Sequence, residues 1–197
     1  MNTKKGFTLL ELLIVIGILA ILSTTVVLVI NPAELLRRAR DSQRISDLNT
    51  LKSAITLFIA ETGTSTIGSA YGTQTYSHVS GVSCGGTNPA SAISTLTNGT
   101  GWIPINFDSM AIGSPISALP VDPNASTAAT GNLYYVYLVG DESKLLFKLV
   151  ANMESATYSS GPDNVEETDG GNESTLYEVG TKMDTPITTG TNCFNSA

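Results

Sequence analysis

Between Phe7 and Ile30 the sequence runs for 24 residues with one charged member, Glu11. A carboxylate in so apolar a stretch costs about 2.5–3.5 kcal/mol on membrane-insertion scales, so it needs a counter-charge or a task. No cation lies within the run. Hydrolysis of the Gly6–Phe7 bond would create one, a new α-amine on Phe7, four positions before Glu11. That amine could pair within its own helix or with the carboxylate of a second copy alongside. In the second arrangement two costly charges are neutralised only when the helices stack in register.

The other reactive residue types are sparse. Cys84 and Cys193 are the only cysteines, and His78 is the only histidine. With no CxxC and no Cys/His cluster, structural zinc and thiol-redox chemistry have no ligand set. A Cys84–Cys193 disulfide would tie a central loop to the C-terminal tail, with a model-dependent stabilisation of about 2–4 kcal/mol; separate thiols are the alternative. Asp163, Glu166, Glu167 and Asp169 form the one candidate cation site. Oxygen ligands beside Gly170 suit calcium, but the spacing does not match an EF-hand loop, and a solvated acidic turn is the competing reading. No nucleophile motif or triad is visible, so the chain reads as no enzyme and needs no cofactor other than that calcium.

The elements that position these residues divide the chain into unlike parts. Residues 1–52 hold seven of the ten basic groups, whereas residues 53–197 have three lysines against 13 carboxylates. That acidic, Ser/Thr/Gly-rich body repels phosphate backbones and excludes nucleic acid as its partner. As a helix, the apolar run from Phe7 would be roughly 36 Å long, enough for a hydrocarbon core of about 30 Å. An ordinary signal peptide has a shorter apolar region, and here the run continues past Ser23. A plain membrane anchor explains the length but not Glu11. Lys4 and Lys5 favour a cytoplasmic N-terminus, while Arg37, Arg38, Arg40 and Arg44 count the other way. A polar, cysteine-bearing body places the head outside.

Lys4-Lys5-Gly6-Phe7-Thr8-Leu9-Leu10-Glu11, followed by the apolar helix, resembles the processing site of bacterial type IV prepilins and type II secretion pseudopilins. The resemblance implies a leader of residues 1–6 ending at Gly6, cleavage and N-methylation at Phe7 by a membrane prepilin peptidase, and Glu11 as the registry carboxylate. It also implies a filament of many copies with minor pilins, an inner-membrane platform protein, and an assembly ATPase acting indirectly. The precursor would be a single-pass membrane protein that becomes part of a cell-surface filament after processing. Residues 40–63 are similar to the exposed half of the long pilin helix, and Leu119-Pro120-Val121-Asp122-Pro123 resembles the entry to the pseudopilin sheet. In the well-known pilus proteins a proline kinks the spanning helix about 22 residues into the mature chain; here Pro32 is the twenty-sixth residue counted from Phe7.

The expected fold is α+β: one long N-terminal helix, its first half spanning the membrane, packed on a small antiparallel sheet. The expected boundaries are a leader (1–6), a filament-core helix (7–30), an exposed amphipathic half-helix (31–62) and a head (63–197), the head divided into a decorated loop region (63–132) and a sheet with a C-terminal tail (133–197). Pro32 predicts a kink or short break, and Gly63 a stop. Ile45, Leu48, Leu51, Ile55, Phe58 and Ile59 make one core-facing stripe. Leu35, Leu36 and Ala39 fall on another face, suited to neighbouring subunits. The four arginines read as headgroup contacts on a solvated face, or as partners for acidic heads of adjacent subunits. Residues 88–96 suggest a short helix and Trp102–Ile105 an edge strand. Leu133–Val139 and Lys144–Ala151 form the clearest hairpin, and Leu176–Val179 a further strand. A pilus subunit, a secretion pseudopilin and a non-polymerising anchored binding module are the three functional readings. The long loop and extra tail favour the first.

Overall fold

The computed structural model describes residues 6–63, 66–68, 74–77, 94–124, 133–141, 145–184 and 186. They form α1 (Leu9–Ile30), α2 (Pro32–Thr62), β1 (Gln74–Tyr76), a 3-10 turn (Phe107–Ser109), β2 (Val136–Asp141), β3 (Leu146–Ala151), α3 (Ala156–Ser159) and β4 (Tyr177–Gly180). The chain falls into two compact units, Met1–Arg37 and Arg38–Ala197.

The first unit is dominated by α1, whose described side chains are exposed along its whole length. Leu9–Val26 has a mean hydropathy of 2.5, so this helix is long and apolar enough to cross a membrane. It stops because Asn31 takes a left-handed conformation, φ 46°, and Pro32 has no N–H to continue the ladder. Pro32 then opens α2 at the first helical position, where a missing N–H costs nothing. The Asn31 carbonyl accepts from Glu34 N at 3.0 Å and its side-chain oxygen from the same N–H at 3.4 Å. The expected break is therefore a single residue, and that residue caps α2.

In the second unit the predicted stripe is the core. Leu48, Leu51, Ala54, Ile55 and Phe58 of α2 are buried, with Ile59 packed at the edge. They meet Tyr135, Tyr137, Val139, Phe147, Leu149, Ala151 and Val179 from one face of the sheet. Each large aliphatic or phenylalanine side chain among them, taken out of water, stabilises by about 1.5–3 kcal/mol. Gly63 ends α2 at φ 57°, the left-handed stop expected of a glycine there.

The sheet is antiparallel in the order β1-β2-β3-β4. Its hairpin pairs Val136 with Val150 and Val139 with Phe147, then shifts register between Val139 and Asp141. The α+β pilin-like architecture is thus present, with four differences in detail. β1 lies inside the region expected to be loop. Trp102–Ile105 is not a strand; Trp102, Ile103 and Ile105 are buried in irregular chain, and Trp102 Nε1 donates to the Pro120 carbonyl at 3.0 Å. Residues 94–96 are not helical, and residues 88–93 of the same expected helix lie outside the described residues. α3 was not signalled, being one turn capped by Ser155.

Candidate functional site

The N-terminal site is built on the start of α1. Thr8 is the N-cap, at φ −81° and ψ 152°, and its hydroxyl accepts from Glu11 N at 3.2 Å. Thr8-x-x-Glu11 is the sequence pattern of a capping box, so Glu11 has a local reason to sit at the third helical position, where the helix dipole favours an anion. Gly6 and Phe7 lie just outside the helix, Phe7 being 83% exposed. The Gly6–Phe7 peptide is therefore non-helical and accessible, the form in which a peptidase can grip a chain. Glu11 is exposed, and no cation within its own helix faces it among the described residues.

Residues 1–27 match the family model described as the prokaryotic N-terminal methylation motif. The chain carries the type IV pilin and pseudopilin signature. No curated protein and no solved structure gives a match. The pilin signature marks structural subunits rather than enzymes, implies processing by prepilin peptidase and assembly with other pilins, and fits a membrane-anchored precursor.

The other expected sites fare differently. Cys84 and Cys193 lie outside the described residues. The four carboxylates of the candidate calcium site are not brought together, and no group of three His, Cys, Asp or Glu residues suited to a metal exists among the described residues. Asp163 and Glu167 are exposed. Glu166 is buried and accepts from Met153 N at 3.0 Å. Asp169 accepts from Gly171 N at 2.7 Å and from Glu178 N. Backbone N–H groups thus bond one oxygen of Glu166 and both of Asp169. Burial, with Asp41 and Asp169 nearby, pushes the Glu166 carboxyl up to about 7.

The arginines correct the sequence reading most. Arg44 is fully buried and belongs to its own head. Its Nε and Nη2 fork onto Asp122 at 2.6 and 2.8 Å, while Nη1 reaches Asp41 at 2.6 Å and Glu154 at 3.0 Å. Asp41 in turn accepts from Glu154 N and Ser155 N at 2.9 and 2.8 Å. Arg40 adds a bond to Glu154 at 2.6 Å. Burial opposes the Arg44 charge, but the bonds and charges of Asp122, Asp41 and Glu154 outweigh it and raise its pKa. Burial likewise pushes Glu154 up, yet Arg40, Asn124 and Arg44 bring it below its ordinary value. This clamp fixes α2 to the 119–123 loop and to the chain leaving β3. One signal was available: positions 41, 44, 48, 51, 55 and 58 continue the stripe at three- and four-residue spacing, so Asp41 and Arg44 share its buried face.

Proposed function

We propose that the chain is the prepilin of a type IV pilus-like filament, cut between Gly6 and Phe7, methylated at Phe7, and assembled through its apolar helix. Carrying this reading is Glu11, the lone carboxylate of a spanning-length helix, five positions into the chain that begins at Phe7. Its cost in lipid is offset when a neighbouring subunit's new α-amine docks against it. The exposed Leu35 and Leu36 would extend the subunit contact beyond the membrane, with the acidic head outside the cell. Platform protein and ATPase act from the other side.

N-terminal sequencing and mass measurement of material sheared from cells test this directly. The expected mature chain begins at methylated Phe7, and Glu11→Ala should abolish sheared fibres while leaving the protein in the membrane. Fibres built from chains that still begin at Met1 would refute the reading. Polar replacement of Leu35 and Leu36 together should lower fibre yield several-fold. The anchored binding module predicts instead an uncut N-terminus and indifference to Glu11→Ala.

A further inference from the structure

Three polar side chains that filament assembly does not use meet on the sheet face turned away from α2. Lys148 on β3 pairs with Gly180 across the ladder, and Val150 with Glu178, so Lys148 and Glu178 are diagonal neighbours. Lys148 is fully buried and Glu178 is 1% exposed. Lys148 Nζ donates to Glu178 Oε1 at 2.6 Å, to Asn172 Oδ1 at 2.7 Å and to the Met183 carbonyl at 3.1 Å. The other Glu178 oxygen accepts from Asn172 N at 2.7 Å and Glu173 N at 3.3 Å. This pins Asn172 against the lysine. A Cβ at Gly171 would meet the Glu178 carboxylate, so the glycine lets the loop close over it without displacing that side chain.

We propose that Lys148 and Asn172 condense into an intramolecular amide, with Glu178 relaying the protons. Lys148 Nζ gives a proton to Glu178, and its freed lone pair attacks Asn172 Cγ. The Nζ–Cγ bond forms as Oδ1 takes the proton from Glu178. Collapse restores the carbonyl, the Cγ–Nδ2 bond breaks, and the nitrogen leaves protonated by the former lysine hydrogens. One ammonium and one primary amide become one secondary amide and one ammonium ion. Glu178 returns to its starting state, and no oxidant, reductant or cofactor is consumed.

The site favours each step. Burial raises the Glu178 carboxyl against the pull of Lys148, which suits it to take a proton from the ammonium 2.6 Å away. Oδ1 already faces a cationic donor, which polarises the carbonyl under attack. Asn172 is exposed and its Nδ2 donates to the half-buried Glu173 at 3.3 Å, so the departing nitrogen can reach water. In the product the new amide N–H takes the place of the ammonium as donor to Glu178.

Denatured full-length protein, digested with trypsin and weighed, tests the bond whatever the state of its N-terminus. Trypsin should fail to cut after Lys148 and release residues 145–182 as one peptide, lighter by one ammonia. Glu178→Gln and, independently, Asn172→Ala should each restore cleavage after Lys148 and the full mass. Cleavage of the wild-type chain at Lys148 with unaltered mass would overturn the proposal, leaving an ion pair alone. The same mass loss with Lys148 still cleavable would mean an Asn172 succinimide and would also overturn it. Equal cross-linking in Glu178→Gln would remove Glu178 from the chemistry.

Discussion

At the scale of single residues, Arg44 decides most. Its carboxylate partners hold other donors, but Arg44 supplies the buried positive charge paired with Asp122 and Asp41. Arg44→Met should cost on the order of 3–5 kcal/mol, because removing one member of a buried ion cluster strands the others. Arg44→Lys should recover only part of this, since a point charge cannot fork onto Asp122. Denaturant titrations of the wild type and both variants check the order. Glu166 behaves in the opposite sense. Its folded pKa lies above its unfolded one, so the folded state loses stability as pH rises through that interval. Glu166→Gln keeps an acceptor for Met153 N and should stabilise by roughly 2 kcal/mol at pH 8, with little change at pH 4. Arg44 and Lys148 were both hard to read from the sequence for one reason. Their distant acceptors lie 78, 110 and 30 residues away, so no local pattern names those partners, although the stripe does place Arg44 on the buried face. Glu11 was legible because its oddity is local, one charge in an unbroken apolar run.

At the scale of elements, legibility followed periodicity. The α2 stripe and the hairpin Val136–Ala151 announce themselves through repeats of three to four and of two. β1 has three residues, too few to show alternation, and Trp102–Ile105 alternates weakly while serving as irregular core. Turn chemistry was more reliable. Gly63 has φ 57° and open space around a would-be Cβ, so the cost of Gly63→Ala is conformational alone. It should destabilise the head by about 1 kcal/mol, read from thermal unfolding. The Asn31–Pro32 break was visible as a dipeptide, but the capping of α2 by Asn31 was not, because the left-handed turn that aims its oxygen is a conformation rather than a composition.

At the scale of the whole molecule, the carboxylates pull the pH profile two ways. Glu154 lies below its ordinary value, so its contribution is present above that value and fades as pH falls through the folded one. Glu166, Asp169, Glu178 and Asp47 lie above theirs, and each weakens the fold as pH climbs through the raised range. The melting temperature should therefore peak on the acid side of neutrality and decline in both directions. A scan from pH 3 to pH 9 measures it. The Arg44 cluster adds a consequence for biogenesis. Its last member, Glu154, lies 110 residues behind the guanidinium. Until the chain has been made that far, the cation has no Glu154 to meet, and Asp122 arrives only 78 residues after it. The head can close over the cluster only once most of its residues are in place, which commits the domain in one late event.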